Sequence, residues 1–106
     1  MPMMALSVRF ELKDEAAAAG FDALVTRTLP LIVSEEPGTL LYLVNTVDGA
    51  PLSRVFNEYY ASPEAFDAHE QQPHVQAFLA ERALYVKSYH VDRLTPTVGK
   101  GLIPGD

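Results

Sequence analysis

The chain has 106 residues, a formal net charge of −6, 48% hydrophobic and 21% charged residues, and no cysteine. One globular domain is expected, while the negative charge and scattered basic residues argue against nucleic acid or an anionic membrane as a partner. The lack of cysteine excludes disulfides and thiolate sites. No basic, apolar leader is predicted at the start and no apolar run approaches membrane-spanning length, so we expect a cytoplasmic protein.

The first predicted elements are a strand and a long helix. Residues 5–12 alternate between apolar and polar side chains, which is the period of a strand. Asp14 is a suitable N-cap for a helix that Pro37-Gly38 ends. Pro30 is expected to kink or break this helix because it lacks an N–H and clashes with the preceding turn.

A hairpin follows, with residues 39–47 as one arm and residues 51–61 as the other, joined by Asp48-Gly49. The first arm carries apolar side chains on both faces. Since the helices can cover only one face, we expect a second copy of the chain to cover the other and form a homodimer. The alternative is a monomer that exposes a few apolar residues.

The last predicted elements are a divided helix, a strand and a tail. Ser62 is placed to cap a helix, and Pro73 divides that helix into pieces at roughly 63–71 and 73–83. A strand over residues 85–94 follows. The chain then ends in a tail rich in proline and glycine at 95–106.

The element order predicts an α+β, ferredoxin-like βαββαβ fold. Its four strands form an antiparallel sheet with both helices on one face. The domain is expected to span residues 1–94.

Polar side chains lie among the aromatic residues of the stretch 56–69. Strand alternation puts Glu58 and Tyr60 on one face and Asn57 and Tyr59 on the other. The imidazole of His69 shares a helix side with Phe66 and that of His74 shares one with Phe78, so both point towards the sheet.

Two interpretations of these polar groups stay open. The histidines are either hydrogen-bonded structural groups or general bases in a cavity between helix and sheet. Glu58 is either part of that cavity or an ion-pair partner of Arg54 or Arg9.

Cofactor motifs are lacking in the sequence. There is no glycine-rich phosphate loop, no flavin or nicotinamide fingerprint and no nucleophile elbow. His69 and His74 are five residues apart, which is not the spacing of a zinc-binding helix. We therefore expect no bound flavin, haem or metal.

A set of motifs in chain order resembles the antibiotic biosynthesis monooxygenase family of small dimeric α+β barrels. The matching residues are Glu36-Pro37-Gly38-Thr39-Leu40, Tyr42, Glu58, Tyr60, Ser62, Ala65, His69, Pro73-His74 and Phe78. Members of this family include oxygenases that act on quinols or aromatic polyketides without flavin or metal. Others degrade haem. The haem-degrading members and some polyketide-oxidising members have a tryptophan in the pocket, so the absence of tryptophan here lowers both of these expectations.

The resemblance implies a cofactor-independent monooxygenase that uses molecular oxygen on a quinol or polyketide-like hydroxylated aromatic. The candidate catalytic residues are His69, His74, Glu58 and Asn57. The candidate substrate-binding residues are Tyr59, Tyr60, Phe66 and Phe78. The alternatives are a dimer that binds small molecules without catalysis, a stress-related protein, and an isomerase or lyase that acts on a small metabolite.

Overall fold

The computed structural model describes residues 2–101 and has the ferredoxin-like α+β fold in the order βαββααβ. The four strands form one antiparallel sheet in the order β2-β3-β1-β4. The elements are β1 (Met4–Leu12), α1 (Glu15–Glu35), β2 (Thr39–Val47), β3 (Ala50–Tyr60), α2 (Pro63–Glu70), α3 (Pro73–Glu81) and β4 (Val86–Leu94). A 3₁₀ turn, Arg82–Leu84, joins α3 to β4.

The element boundaries follow the predicted caps and turns. The Asp14 carboxylate accepts the backbone N–H of Ala17 at 2.8 Å, and the Ser62 hydroxyl accepts that of Ala65 at 3.1 Å. Gly49 has a φ of 79°, which a tight hairpin turn needs and a residue with a Cβ rarely adopts. The division at Pro73 is confirmed, since α2 ends at Glu70 and α3 begins at Pro73.

Helix α1 corrects two expectations from the sequence. It runs unbroken through Pro30, because Thr28 and Ile32 on either side are buried against the fold and hold the helix in place. It is also long and apolar enough, by length and composition alone, to cross a membrane. In this fold, however, it buries Phe21 at 0% and Leu24 at 4% exposure, which is the packing of a core helix.

The core lies between the sheet and the helices and is built around four phenylalanines. The Phe10 and Phe56 rings are 4.9 Å apart in an edge-on arrangement, and Phe21 and Phe78 pack at 5.9 Å. Aromatic pairs at these separations add to the stabilisation from burial alone. We call the sheet face that carries this core the helix-side face.

The opposite face of the sheet, the outer face, has no helix over it in residues 2–101. Leu41, Leu43 and Asn45 of β2 pair there with Tyr59, Asn57 and Val55 of β3. Leu43 is 51% exposed. Leu40, where the register between β2 and β3 shifts, is 36% exposed. The apolar character predicted for both faces of β2 is therefore present in the structure.

Edge strand β4 lies beyond the cover of the helices, and its Tyr89 and Val91 are exposed on the helix-side face. Residues 95–101 of the predicted tail follow without helix or strand. The remainder of the tail, 102–106, lies outside the described residues.

Candidate active site

A cavity of about 400 Å³ opens between the helix-side face and helices α2 and α3. That volume lies within the range typical of small-molecule sites. Most of its lining is apolar or aromatic, and Leu6, Val8 and Phe10 of β1 form its floor with Phe56 of β3. The polar or charged lining residues are Tyr42, Glu58, His69, Glu70, Arg82, Tyr89 and Arg93.

Beside the cavity, the Glu36 carboxylate bridges two imidazoles. Its Oε1 lies 2.5 Å from His69 Nδ1 and its Oε2 lies 2.5 Å from His74 Nε2. The three side chains are almost entirely buried, at 3% exposure for Glu36, 6% for His69 and 8% for His74. A buried carboxylate is tolerated only when it is hydrogen-bonded, and here both of its oxygens are occupied.

The turn between α1 and β2 places Glu36 against α2. Gly38 approaches Ala65 so closely that a Cβ on Gly38 would lie 2.7 Å from the Ala65 Cβ. The Thr39 hydroxyl also donates to Glu36 Oε1 at 2.7 Å. The Glu-Pro-Gly-Thr sequence thus fixes the carboxylate at the position where two helices present their histidines.

His69 is the histidine that reaches the cavity. Its Nδ1 is held by Glu36, so Nε2 is the ring nitrogen left for a molecule in the cavity. An ionised carboxylate only accepts, so the neutral tautomer that fits Glu36 carries its proton on Nδ1 and has a lone pair on Nε2. Tyr42 and Tyr60 flank the ring, with centroids 5.7 and 5.2 Å from it. Such an imidazole can act as a general base.

Glu58 is a second polar group in the same cavity. The hydroxyl of the fully buried Tyr60 donates to Glu58 Oε1 at 2.5 Å. Burial raises the pKa of the Glu58 carboxyl, while the hydrogen bond from Tyr60 acts in the opposite direction. Burial also raises the pKa of Tyr60 and of Tyr42, so both phenols stay protonated as hydrogen-bond donors.

The ion pairs suggested for Glu58 are not formed. Arg54 instead binds the Asp22 carboxylate of α1 at 2.9 and 3.0 Å. Arg9 points from the outer face to Glu11 at 2.8 Å. Glu58 is therefore held by a phenol rather than by a cation.

The other candidates occupy three different places. Asn57 and Tyr59 lie on the outer face, where Asn57 accepts a hydrogen bond from Asn45 at 3.0 Å. Phe66 and Phe78 line the cavity. His74 and Tyr60 are absent from the lining. Tyr60 binds the lining residue Glu58, whereas His74 is connected to the lining residue His69 only through Glu36.

The same polar groups are the residue types that could ligate a metal ion. Among residues 2–101, no three His, Asp or Glu side chains are arranged to hold a metal ion. Glu36 instead binds one nitrogen of each imidazole, Nδ1 of His69 and Nε2 of His74.

Sequence reasoning did not assign a role to Glu36, Arg82 or Arg93. Glu36 stands in the Glu-Pro-Gly segment that carries the resemblance, and that segment was the available signal. The two arginines gave no such signal in the sequence. They are eleven residues apart, and only the turn after α3 brings both to one cavity.

A protein-family model described as antibiotic biosynthesis monooxygenase matches residues 3–81. A search of curated proteins finds no significant match. Solved structures are similar in fold. One of them is a protein from Caulobacter crescentus that is provisionally named an antibiotic biosynthesis monooxygenase. It has a TM-score of 0.85 at 19% identity, and the match covers 92% of each chain.

Two further structures extend the likeness. Rv0793 from Mycobacterium tuberculosis has a TM-score of 0.84 at 22% identity over 93% of this chain and 99% of its own. A provisionally named monooxygenase from Lactobacillus acidophilus is 28% identical with a TM-score of 0.81, and the match covers 87% of this chain and 43% of that one. At these identities the structures support the fold, while the family model supports the relationship.

Proposed function

This chain belongs to the antibiotic biosynthesis monooxygenase family, and from that premise we propose that it is a cofactor-independent monooxygenase of quinols or hydroxylated aromatic, polyketide-like compounds. The observation that carries the proposal is the Glu36-bound His69, which presents one free ring nitrogen to a largely apolar cavity of about 400 Å³. That volume suits a substrate of two or three fused rings, and the aromatic walls suit flat rings.

His69 starts the reaction by removing a proton from the substrate hydroxyl. Glu36 is a positioning residue, because its carboxylate fixes the ring and stabilises the imidazolium that forms when Nε2 accepts the proton. The apolar walls strengthen this interaction by excluding water. The product of the step is an electron-rich aromatic anion.

Oxygen then reacts with that anion directly. One electron passes to O₂, and the resulting superoxide and substrate radical combine in a carbon–oxygen bond at a ring carbon that bears hydrogen. The imidazolium returns its proton to the peroxide. Loss of the hydrogen on that carbon and cleavage of the O–O bond release water and leave a carbonyl, so the substrate supplies all four electrons.

Glu58 serves as a hydrogen-bond partner for the substrate oxygen opposite the base. Since burial raises the pKa of its carboxyl, Glu58 holds a proton to a higher pH than an exposed glutamate does. A neutral carboxyl donates to a developing oxyanion, while Tyr60 fixes its orientation. Tyr42 supplies another phenol in the cavity lining.

The homodimer implied by the resemblance is part of this proposal. The exposed Leu43 on the outer face supports it, because a second sheet would remove this side chain from water. The cavity lies on the other side of the sheet, so each copy keeps its own. We place this dimer in the cytoplasm, as the composition predicts.

A proton-transfer isomerase is the second candidate, because a base and a carboxyl with a raised pKa line the same cavity. An isomerase needs no oxygen. Oxygen uptake therefore separates the two functions, and it also separates both from a dimer that only binds small molecules.

The test is oxygen consumption with naphthoquinol and dihydroxyanthrone, measured above the protein-free rate and repeated with isotopically labelled O₂. We expect one labelled oxygen atom in the product carbonyl and the other in water. Tight binding of these compounds with no protein-dependent oxygen consumption would overturn the monooxygenase proposal.

A further inference from the structure

Two arginines at the β4 side of the cavity have no assigned role. Arg82 begins the 3₁₀ turn after α3, and its guanidinium carbon lies 4.8 Å from the centre of the Tyr89 ring and 5.8 Å from that of Phe10. This cation–π stacking holds a long, flexible side chain in a defined position at the cavity wall. Arg93 lines the same cavity from β4, opposite Leu6 of β1.

These two arginines differ from the other three in the chain. Arg9, Arg27 and Arg54 each form an ion pair with a carboxylate at 2.8–2.9 Å. Within residues 2–101, neither Arg82 nor Arg93 forms an ion pair or a side-chain hydrogen bond. Arginines that lack a protein acceptor keep all their N–H donors for a ligand.

The acidic residues of the cavity form no ion pair with either of these arginines. Glu58 accepts a hydrogen bond from Tyr60. Burial raises the pKa of the Glu58 carboxyl, which favours its neutral form. Glu70 lines the cavity without contacting either guanidinium. The β4 side of the cavity is therefore cationic, although the chain as a whole carries a charge of −6.

We propose that the substrate carries an anionic oxygen group, a carboxylate in its simplest form, which Arg82 and Arg93 bind while its hydroxylated ring reaches His69. A guanidinium matches a carboxylate in shape and forms charge-assisted hydrogen bonds with it. The inference deepens the proposed function by naming the substrate class as aromatic hydroxy acids. Because the net charge of the protein repels anions, any preference for an acid over a neutral analogue has to arise locally.

The test is calorimetric binding of hydroxynaphthoate and of its neutral amide, hydroxynaphthamide, to the full-length protein. We expect the acid to bind about tenfold more tightly than the amide. This difference in affinity is at the low end for charge-assisted hydrogen bonds, because Arg93 is exposed and solvent weakens its interaction with the anion. Arg93→Gln and Arg82→Gln should each remove most of this preference and leave amide binding unchanged. Lys87→Gln is the matched control, since it removes the same charge from β4 at a side chain outside the cavity lining.

Arg82→Gln also loses stacking with Tyr89, so Arg93→Gln decides the question if the Arg82 variant is unstable. Equal binding of acid and amide to the wild type would overturn the proposal, as would an Arg93→Gln variant that keeps the full preference. This readout is separate from turnover. If the protein prefers the acid but consumes no oxygen, the monooxygenase proposal is wrong and the anion site is supported. If it consumes oxygen but shows no preference for the acid, the anion site is wrong and the monooxygenase proposal is supported.

Discussion

Strand β3 puts two neighbouring polar residues into opposite environments. Glu58 faces the helix side, is 6% exposed, and is bound by a buried phenol next to the cavity. Asn57 faces the outer side, where its amide pairs with Asn45 on a face without a helix. One strand thus carries a cavity on one side and an exposed apolar surface on the other.

In the proposed function, the two faces of the sheet separate reactivity from assembly. On the helix-side face, buried polar groups have few partners and fixed geometry, so their protonation and orientation are set by the protein. On the outer face, the ion pair between Arg9 and Glu11 joins two exposed side chains. We therefore expect variants of the first face to change turnover and variants of the second to change association.

The largest expected effect is loss of turnover in His69→Ala. Removal of a general base should lower the rate of quinol-dependent oxygen uptake by roughly 10²–10⁴-fold. The control is Asn57→Ala, which deletes a polar side chain from the other face of the neighbouring strand and should leave the rate nearly unchanged. If the two variants lose activity equally, or if His69→Ala only unfolds the protein, the proposed division of the sheet is wrong.

The next effect concerns association through the outer face. Leu43→Asp would bury an unpaired charge between two sheets, which costs several kcal/mol, and should convert the proposed dimer to monomers. Leu31→Asp is the control, because Leu31 is similarly exposed but lies on α1. Sedimentation measures both. A wild-type protein that sediments as an 11.7 kDa species at micromolar concentration contradicts the dimer.

Glu36→Ala should destabilise the domain by about 3 kcal/mol, because it leaves two buried imidazoles and the Thr39 hydroxyl without their acceptor. Glu36→Gln keeps the volume and should be less destabilising. It should still lower turnover, since an amide does not stabilise the imidazolium of His69. Thermal unfolding and oxygen uptake on both variants separate the two effects, and a fully active Glu36→Gln variant would argue against the positioning role.

The smallest effect is a pH dependence from Glu58. A carboxyl whose folded pKa lies above its unfolded value, near 4.5, stabilises the fold below that value, and the stabilisation is lost as the pH rises through the folded pKa. Glu58→Gln removes this titration and can still accept the Tyr60 hydrogen bond. The melting temperature of the variant relative to wild type should therefore rise from pH 4 to pH 8. A difference that stays constant or falls over this range would show that the pKa of Glu58 is not raised.

Local patterns predicted most of the fold. Alternation in residues 5–12, the caps at Asp14 and Ser62, and the Asp48-Gly49 turn each act over a few residues, so they can be recognised in the sequence. Pro30 was misjudged because packing of α1 against the sheet, a long-range effect, offsets the local cost of an interior proline.

The candidate site was less predictable because its contacts join distant parts of the chain. Glu36 precedes His69 by 33 residues and His74 by 38, and only the folded turn brings the three together. The helical spacing predicted that both histidines point inward. It did not show that His69 reaches the cavity while His74 only binds Glu36. Alternation had already separated Asn57 from Glu58, and the structure assigns these neighbours to different surfaces.

The proposed function requires Glu36 to hold His69 as a neutral base with its free nitrogen towards the cavity. Long-range proton–nitrogen NMR correlation of the imidazole at neutral pH reports which ring nitrogen carries the proton. We predict a His69 ring protonated at Nδ1 and unprotonated at Nε2 in the wild type, with the pattern lost in Glu36→Ala. A His69 ring protonated at Nε2, or one unaffected by removal of Glu36, would contradict the account.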